Sequence, residues 1–397
     1  MNLSFRLTSY LSNRPFGTTS YSAGPVHGVF VIRSRTVSRI IAFGSETEQI
    51  VEDEIICGAD MSPLRERFRI TSGGASTRVD VRFSPAEVNC LIETDGTVSR
   101  KTIPLSQPLS ADLTTAMAPL KEGGVFRVFN PITLSVEKSE VALTGEEEID
   151  GVLCRRFEVV SDSGDSVMFV SPDGTPVRCE LSCGIVSSAA SDAPEPAPVD
   201  LIDATRIKAE NPIPPGSLRA SLEINGERVD IDTTRFDRAP EEDGLRQTSY
   251  IRVDDDIRAF AEDCVGRDDE ETCRNLRRKI YYHMTYDSRM GIIRAASDIL
   301  RSGEGVCRDY AVLLCAAAIA ANIPARVVSG LLCDRGGFVF HAWTECFCKG
   351  RWLPLDASRY EEDADAAHVP LARGREETLT NINRFIGKIN IKVLDFS

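Results

Sequence analysis

The sequence predicts an α+β protein in which a β-rich N-terminal domain is followed by a domain of helices packed on an antiparallel sheet. Three observations carry this. From about residue 28 to 190, alternating segments such as "GVFVIRSRTVSRIIAF", "STRVDVRF" and "SVMFVS" are separated by the turn signals "SGG", "TDG", "DSG" and "PDG". Residues 187–200, "SSAASDAPEPAPVD", combine proline, alanine and acids between two hydrophobic patterns, as an exposed linker does. Beyond residue 250 apolar residues recur at helical spacing, and branched and aromatic alternation returns only later.

Within the β-rich part, residues 1–190, the stretch "SADLTTAMAPL" reads as a short helix with Ser110 or Asp112 as its cap. Residues 191–204 are assigned to the linker, and 205–250 to a short β segment with a hairpin signal in "EINGERV". The catalytic-looking part runs from 251 to 397. "VDDDIRAFAEDCVG" offers Asp254 or Asp255 as cap and Ile257, Phe260, Ala261 and Cys264 on one face. "RDDEETCRNLRRKIYYHMTYDS" begins acidic, turns basic and buries Cys273, Leu276, Ile280 and Met284. "AASDILRSGEG" is a third helix closed by glycine, and Cys307 opens a fourth, "CRDYAVLLCAAAIAAN". "ARVVSGLL", "GFVFHAWTECFC" and "RWLPLDAS" then alternate as strands.

Composition narrows the function classes. The 397 residues, 42% hydrophobic and 27% charged, are ordinary for a globular chain of two or three domains. With 46 Lys+Arg against 60 Asp+Glu the net charge is -14, which repels nucleic acid phosphate and anionic lipid. No apolar run of about 18 residues is present for membrane insertion, and "MNLSFRLTSYLSNRPFGTTSYS" lacks the apolar core of a signal peptide. A cytoplasmic location, or export if the start of the chain is truncated, and reduced thiols at the 12 cysteines are the expectation. "CFC" at 346–348, with Cys333 and His341 nearby, is the one hint of zinc; it lacks a second close ligand pair, and no metal or cofactor is assigned.

Cys307 is the residue to weigh. A cysteine in an apolar run is ordinarily a small core residue, and Cys315 within "LLCAAA" fits that description. Cys307 differs by opening a helix, where unpaired backbone N–H groups and the positive end of the dipole favour thiolate over thiol. Gly303 and Gly305 permit a tight approach just before it. A cysteine nucleophile needs a base and a group to orient that base. Of the four histidines, His27 lies in the β-rich part, His283 in a helix and His368 after the last catalytic-looking strand, which leaves His341 in "FVFHAWTE". Asp356 ends the strand "RWLPLDAS", and antiparallel pairing through "CKGR" would set it across from His341. Cys307 is therefore expected to alkylate faster than Cys315 and the other thiols.

"GEGVCRDYAVLLCAAAIAANIPARVVSG", "HAWTECFCKGRWLPLDAS" and "DADAAHVPLARG" together resemble the transglutaminase-like superfamily over roughly residues 250–397. The resemblance implies a papain-like fold with Cys307 as nucleophile, His341 as base and Asp356 as orienting acid. Asp309 matches a common acidic position, while Trp343 and Trp352 are expected to pack the core. The implied activity is hydrolysis of peptide or protein amides through a thioester. Amine transfer to glutamine and a non-catalytic binding module are the alternatives. Hydrolysis leads because "GLLCDRGGFVF" is too short to build a dry tunnel for an amine. The substrate, the oxyanion-hole side chain, the role of the front domain and the oligomeric state stay open.

Overall fold

The computed structural model describes residues 2–397 except 43–44, 95, 120–121, 190–194, 236–241, 288–291, 361–362, 376–377, 380–384 and 386. Two compact units emerge, Met1–Ala204 with Arg289–Ile292, and Thr205–Ser288 with Ile293–Ser397.

The first unit is one large sheet built by successive antiparallel hairpins. Its strands are longer than the sequence pattern indicates, Val29–Ala42, Ser45–Cys57 and Ser135–Ile149 among them. Two more, Leu3–Leu11 and Arg14–Val26, precede the expected start near residue 28. The first of these pairs with Ile185–Ser188 and so joins two runs of hairpins into one sheet, with Thr97–Pro104 and Gly124–Asn130 at its ends. Alternation places Ile32, Ile55, Cys57, Tyr21 and Leu3 in a common core. The expected short helix is Leu113–Met117, capped by Asp112, whose carboxylate accepts from the Thr115 N–H at 2.9 Å.

The segment read as an exposed linker is only partly so. Its centre, 190–194, lies outside the described residues. Its end is anchored, because Val199–Asp200 pairs in parallel with the strand Val29–Ala42 and Val199 is buried with Leu11, Phe16 and Ile40. The apolar side chains of "PVDLI" find a core there, which outweighs the proline and acid composition beside them.

In the second unit the hairpin Arg219–Ile224 and Glu227–Asp232 turns at Asn225–Gly226, both at positive φ as a two-residue turn needs. The strand Ile391–Phe396 completes this sheet. A larger sheet holds Gly337–Cys348 at its centre, flanked by Ala325–Asp334 on one side and Arg351–Leu355 on the other, with His368–Gly374 beyond Ala325–Asp334. Helices Asp255–Glu262, Asp269–His283, Ala296–Ser302 and Cys307–Ala320 pack with it. The last of these is buried on every side from Tyr310 to Ile319. Its alanines keep it thin enough to lie among neighbouring helices and strands, where an amphipathic helix would leave polar groups unsolvated. No described helix is long and apolar enough to cross a membrane.

Candidate active site

Helix Cys307–Ala320 begins at the cysteine itself. Val306 precedes it in extended conformation and has no side-chain oxygen to cap the helix. Asp309 compensates: its buried carboxylate accepts the Val306 N–H at 3.0 Å and is steadied by the Arg294 guanidinium at 3.4 Å. Arg294 also donates to the Glu304 carbonyl at 2.6 Å, tying down the turn before the cysteine. The two glycines act differently from each other. Gly303 takes a left-handed φ of 64° to end the preceding helix, whereas Gly305 is needed for space, since a Cβ there would lie 2.6 Å from the Asp309 Cβ. Cys307 is thus held half-buried at the helix start, and Cys315 is fully buried inside the helix bundle.

His341 comes from the central strand. Thr344, three residues on, anchors that strand to the helix by donating to the Ala311 carbonyl at 2.9 Å. The strand pairs antiparallel with Arg351–Leu355 in a register that sets Thr344 opposite Leu355, leaving Asp356 just beyond the pairing. The His341 Nε2 and the Asp356 Oδ2 are 2.6 Å apart, and His341 also hydrogen-bonds the Cys307 side chain. Burial alone would lower the His341 pKa; the Asp356 charge, the charge at Cys307 and the hydrogen bonds to both push it up to about 10. Burial would raise the Asp356 pKa, yet the two histidines beside it hold it well below the usual carboxylate range. The side chains form a line from thiol to imidazole to carboxylate.

Two participants were not singled out by the sequence. His368, set aside as lying after the last catalytic-looking strand, is buried against Asp356, with its Nε2 3.3 Å from the same Oδ2. Tyr286 hydrogen-bonds the Cys307 backbone, and burial followed by charge at Cys307 pushes its phenol pKa up. Its placement comes from the parallel pairing of Thr285–Tyr286 with Glu304–Gly305. His283 ends its helix, with Nε2 2.7 Å from the Leu300 carbonyl oxygen.

The motif residues around the line are structural. Arg326 donates to Glu345 at 2.7 Å and lies 3.8 Å over the Trp352 ring, and Arg373 meets the same carboxylate at 3.1 Å. Trp343 is buried, as expected of a core residue. The "CFC" thiols do not gather Cys333 and His341: Cys348 lies 3.7 Å from Cys273, a partner supplied by helix Asp269–His283. Among the described residues, the one group of His, Cys, Asp and Glu compact enough to share an ion is His341, Asp356 and His368, already joined by hydrogen bonds. A cavity of about 1080 Å³ in the first unit is lined by Arg33, Arg65, Arg67, Glu54 and Asp80. Those arginines pair across strands, Arg33 with Glu54 at 2.8 Å and Arg65 with Asp80 at 3.2 Å, and the lining holds no cysteine or histidine.

Residues 258–357 match the family described as the transglutaminase-like superfamily. This part of the chain is a transglutaminase-like domain. The match encloses Cys307, His341 and Asp356 and stops before His368. Solved structures similar to the chain include a candidate cysteine protease from Cytophaga hutchinsonii, 18% identical over 48% of this chain and 85% of that one, TM-score 0.31. A β-barrel-like protein of a domain of unknown function from Brucella abortus is 10% identical over 47% of this chain and 94% of its own, TM-score 0.37. A candidate protease from Parabacteroides distasonis is 12% identical over 74% of this chain and 69% of its own, TM-score 0.23. No curated protein matches the chain.

Proposed function

We propose that the transglutaminase-like domain is a cysteine hydrolase of peptide or protein amide bonds, with Cys307 as nucleophile, His341 as base and Asp356 as orienting acid. The observation that carries this reading is the hydrogen-bonded line from Cys307 through His341 to Asp356, starting at a helix N-terminus. The thiolate attacks the amide carbonyl, and the oxyanion forms beside backbone N–H groups of the first helical turn. His341 gives its proton to the leaving amine as the C–N bond breaks, leaving a thioester. Water then attacks the thioester, His341 takes the water's proton, and the C–S bond breaks to release a carboxylic acid and restore the thiolate. Asp356 holds the imidazole by its Nε2, which keeps the other ring nitrogen turned toward sulfur.

The test compares a proteome-derived peptide mixture incubated with wild type and with Cys307→Ala. Amide cleavage present in the first and absent in the second is expected. Robust incorporation of a fluorescent primary amine, lost in Cys307→Ala, would replace hydrolysis by amine transfer. Activity unchanged in Cys307→Ala would remove the enzyme reading. We also propose the domain division 1–190, linker 191–204, β segment 205–250 and catalytic domain 251–397. Limited proteolysis is expected to cut first within 187–200, and first cleavage inside 251–397 would overturn that division.

A further inference from the structure

We propose that His368, itself held by Asp365, is a positioning residue for Asp356, so that the catalytic line continues two side chains past the carboxylate. This rests on the cysteine-hydrolase reading above. The argument starts from the hydrogen bonds Asp356 can accept. A carboxylate has about four acceptor sites. Its Oδ1 takes the Ser358 N–H at 2.9 Å and the Ser358 hydroxyl at 2.7 Å, and its Oδ2 faces His341 Nε2 at 2.6 Å and His368 Nε2 at 3.3 Å. All four directions are filled, so the carboxylate has no freedom to rotate away from His341. Removing His368 would leave a buried carboxylate oxygen short of one donor.

The other face of the His368 ring is equally constrained. Its Nδ1 lies 3.3 Å from Asp365 Oδ1. Carboxylate oxygens accept and do not donate, so the ring serves both neighbours in the form that donates from each nitrogen. Its positive charge then sits between two carboxylates. Asp365 is fixed in turn by the Ala367 N–H at 3.0 Å on Oδ1 and the Gly216 N–H at 2.6 Å on Oδ2. The buried Trp343 meets the His368 ring edge to face at 5.3 Å and sets its plane. Pairing of Leu332 with His368 holds the backbone in register. His368 touches no reacting atom; it acts by aiming Asp356, as outer partners aim the ligands of a metal.

The experiment uses the full chain with His368→Phe, which keeps a ring but no donor, and His368→Gln, whose side-chain amide can still reach Asp356. The rate of Cys307 carboxamidomethylation by iodoacetamide at neutral pH is followed by peptide mass spectrometry, with thermal melting as a control for folding. Phe is expected to slow Cys307 labelling about tenfold, the low end of what losing an outer hydrogen-bond partner costs, and Gln is expected to recover most of it. With only four histidines in the chain, ring-¹⁵N spectra add a second readout: His368 is expected to be protonated on both nitrogens. A folded Phe variant that labels at the wild-type rate overturns the proposal. If the Phe variant does not fold, a wild-type spectrum showing an unprotonated His368 Nε2 overturns it equally. Wild-type Cys307 labelling no faster than Cys315 would instead sink the hydrolase reading itself.

Discussion

Asp53, Glu66 and Asp112 in the first unit and Asp356 in the second are carboxylates drawn into the protein, yet their proton affinities move in opposite directions. Burial pushes all three of the first group up, Asp53 to about 7, and mutual repulsion adds to the effect on Asp53 and Glu66. The largest effects after burial come from the other carboxylates at Asp53 and Glu66, and at Asp112 from Thr115 and the Tyr21 hydroxyl, 2.6 Å away, both bonded to its carboxylate. Asp356 is more thoroughly buried than Asp53, but two imidazoles turn the balance and hold it ionised. Burial therefore does not decide what a carboxylate can do. Burial and mutual repulsion favour the protonated form in the first cluster, and the two imidazoles favour the ionised form at Asp356.

The comparison breaks most sharply with Asp356→Asn. The amide would favour the wrong His341 tautomer, and turnover is expected to fall by about 10⁴, while Glu66→Gln leaves it unchanged; amide cleavage by the two variants checks this. Gly330→Ala comes next. A Cβ there would lie 2.1 Å from the Val369 carbonyl oxygen and 2.8 Å from the Trp343 ring, forcing the strand that carries His368 away from its neighbour. A loss of about 1–3 kcal/mol in urea-monitored stability is expected, with slower Cys307 labelling. An unchanged midpoint would mean that the strand yields freely.

Asp53→Asn has the smallest expected effect and depends on pH. Asp53 binds its proton more tightly folded than unfolded, so the wild type loses stability as pH rises from its ordinary 3.8 through about 7. The variant lacks that penalty, and its melting temperature relative to wild type should climb across this window. His341 gives the second unit a different window. Its contribution is complete below 6.5 and is lost as pH rises through about 10. A His341→Gln variant should therefore match the wild type more closely at high pH than at pH 6, in a melt followed by Trp343 and Trp352, both in the second unit.

What was legible in the sequence is what local chemistry controls. Asp254 caps its helix, Gly303 ends another, and the apolar stripe Cys273, Leu276 and Ile280 is buried, because each signal lies within a turn or two of its effect. The transglutaminase-like domain was readable through motifs whose order survives in the chain. His368 was not, because its strand pairs with Ala325–Asp334 and not with the strand that leads to Asp356, so no alternation pattern links the two. Glu66 and Asp53 could have been found: each shares its alternation phase with buried residues, Glu66 with Phe68 and Ile70, Asp53 with Ile55 and Cys57. The first two strands escaped because Ser, Thr and Gly in "RPFGTTSYSAGPV" blur the two-residue period.

The pairing of Arg219–Ile224 with Ile391–Phe396 also has a meaning in time. During synthesis at about 5–20 residues per second, the earlier strand leaves the ribosome on the order of ten seconds before its partner exists. In that interval Ala220 and Leu222, buried in the finished protein, have only the hairpin to Glu227–Asp232 beside them, and one strand edge stands open. The first unit's hairpins form between neighbours, and its long waits are confined to the pairings of Leu3–Leu11 with Ile185–Ser188 and of Val29–Ala42 with Val199–Asp200. The nascent chain therefore still presents an open strand edge to chaperones, proteases and misplaced strands while the transglutaminase-like domain is being made.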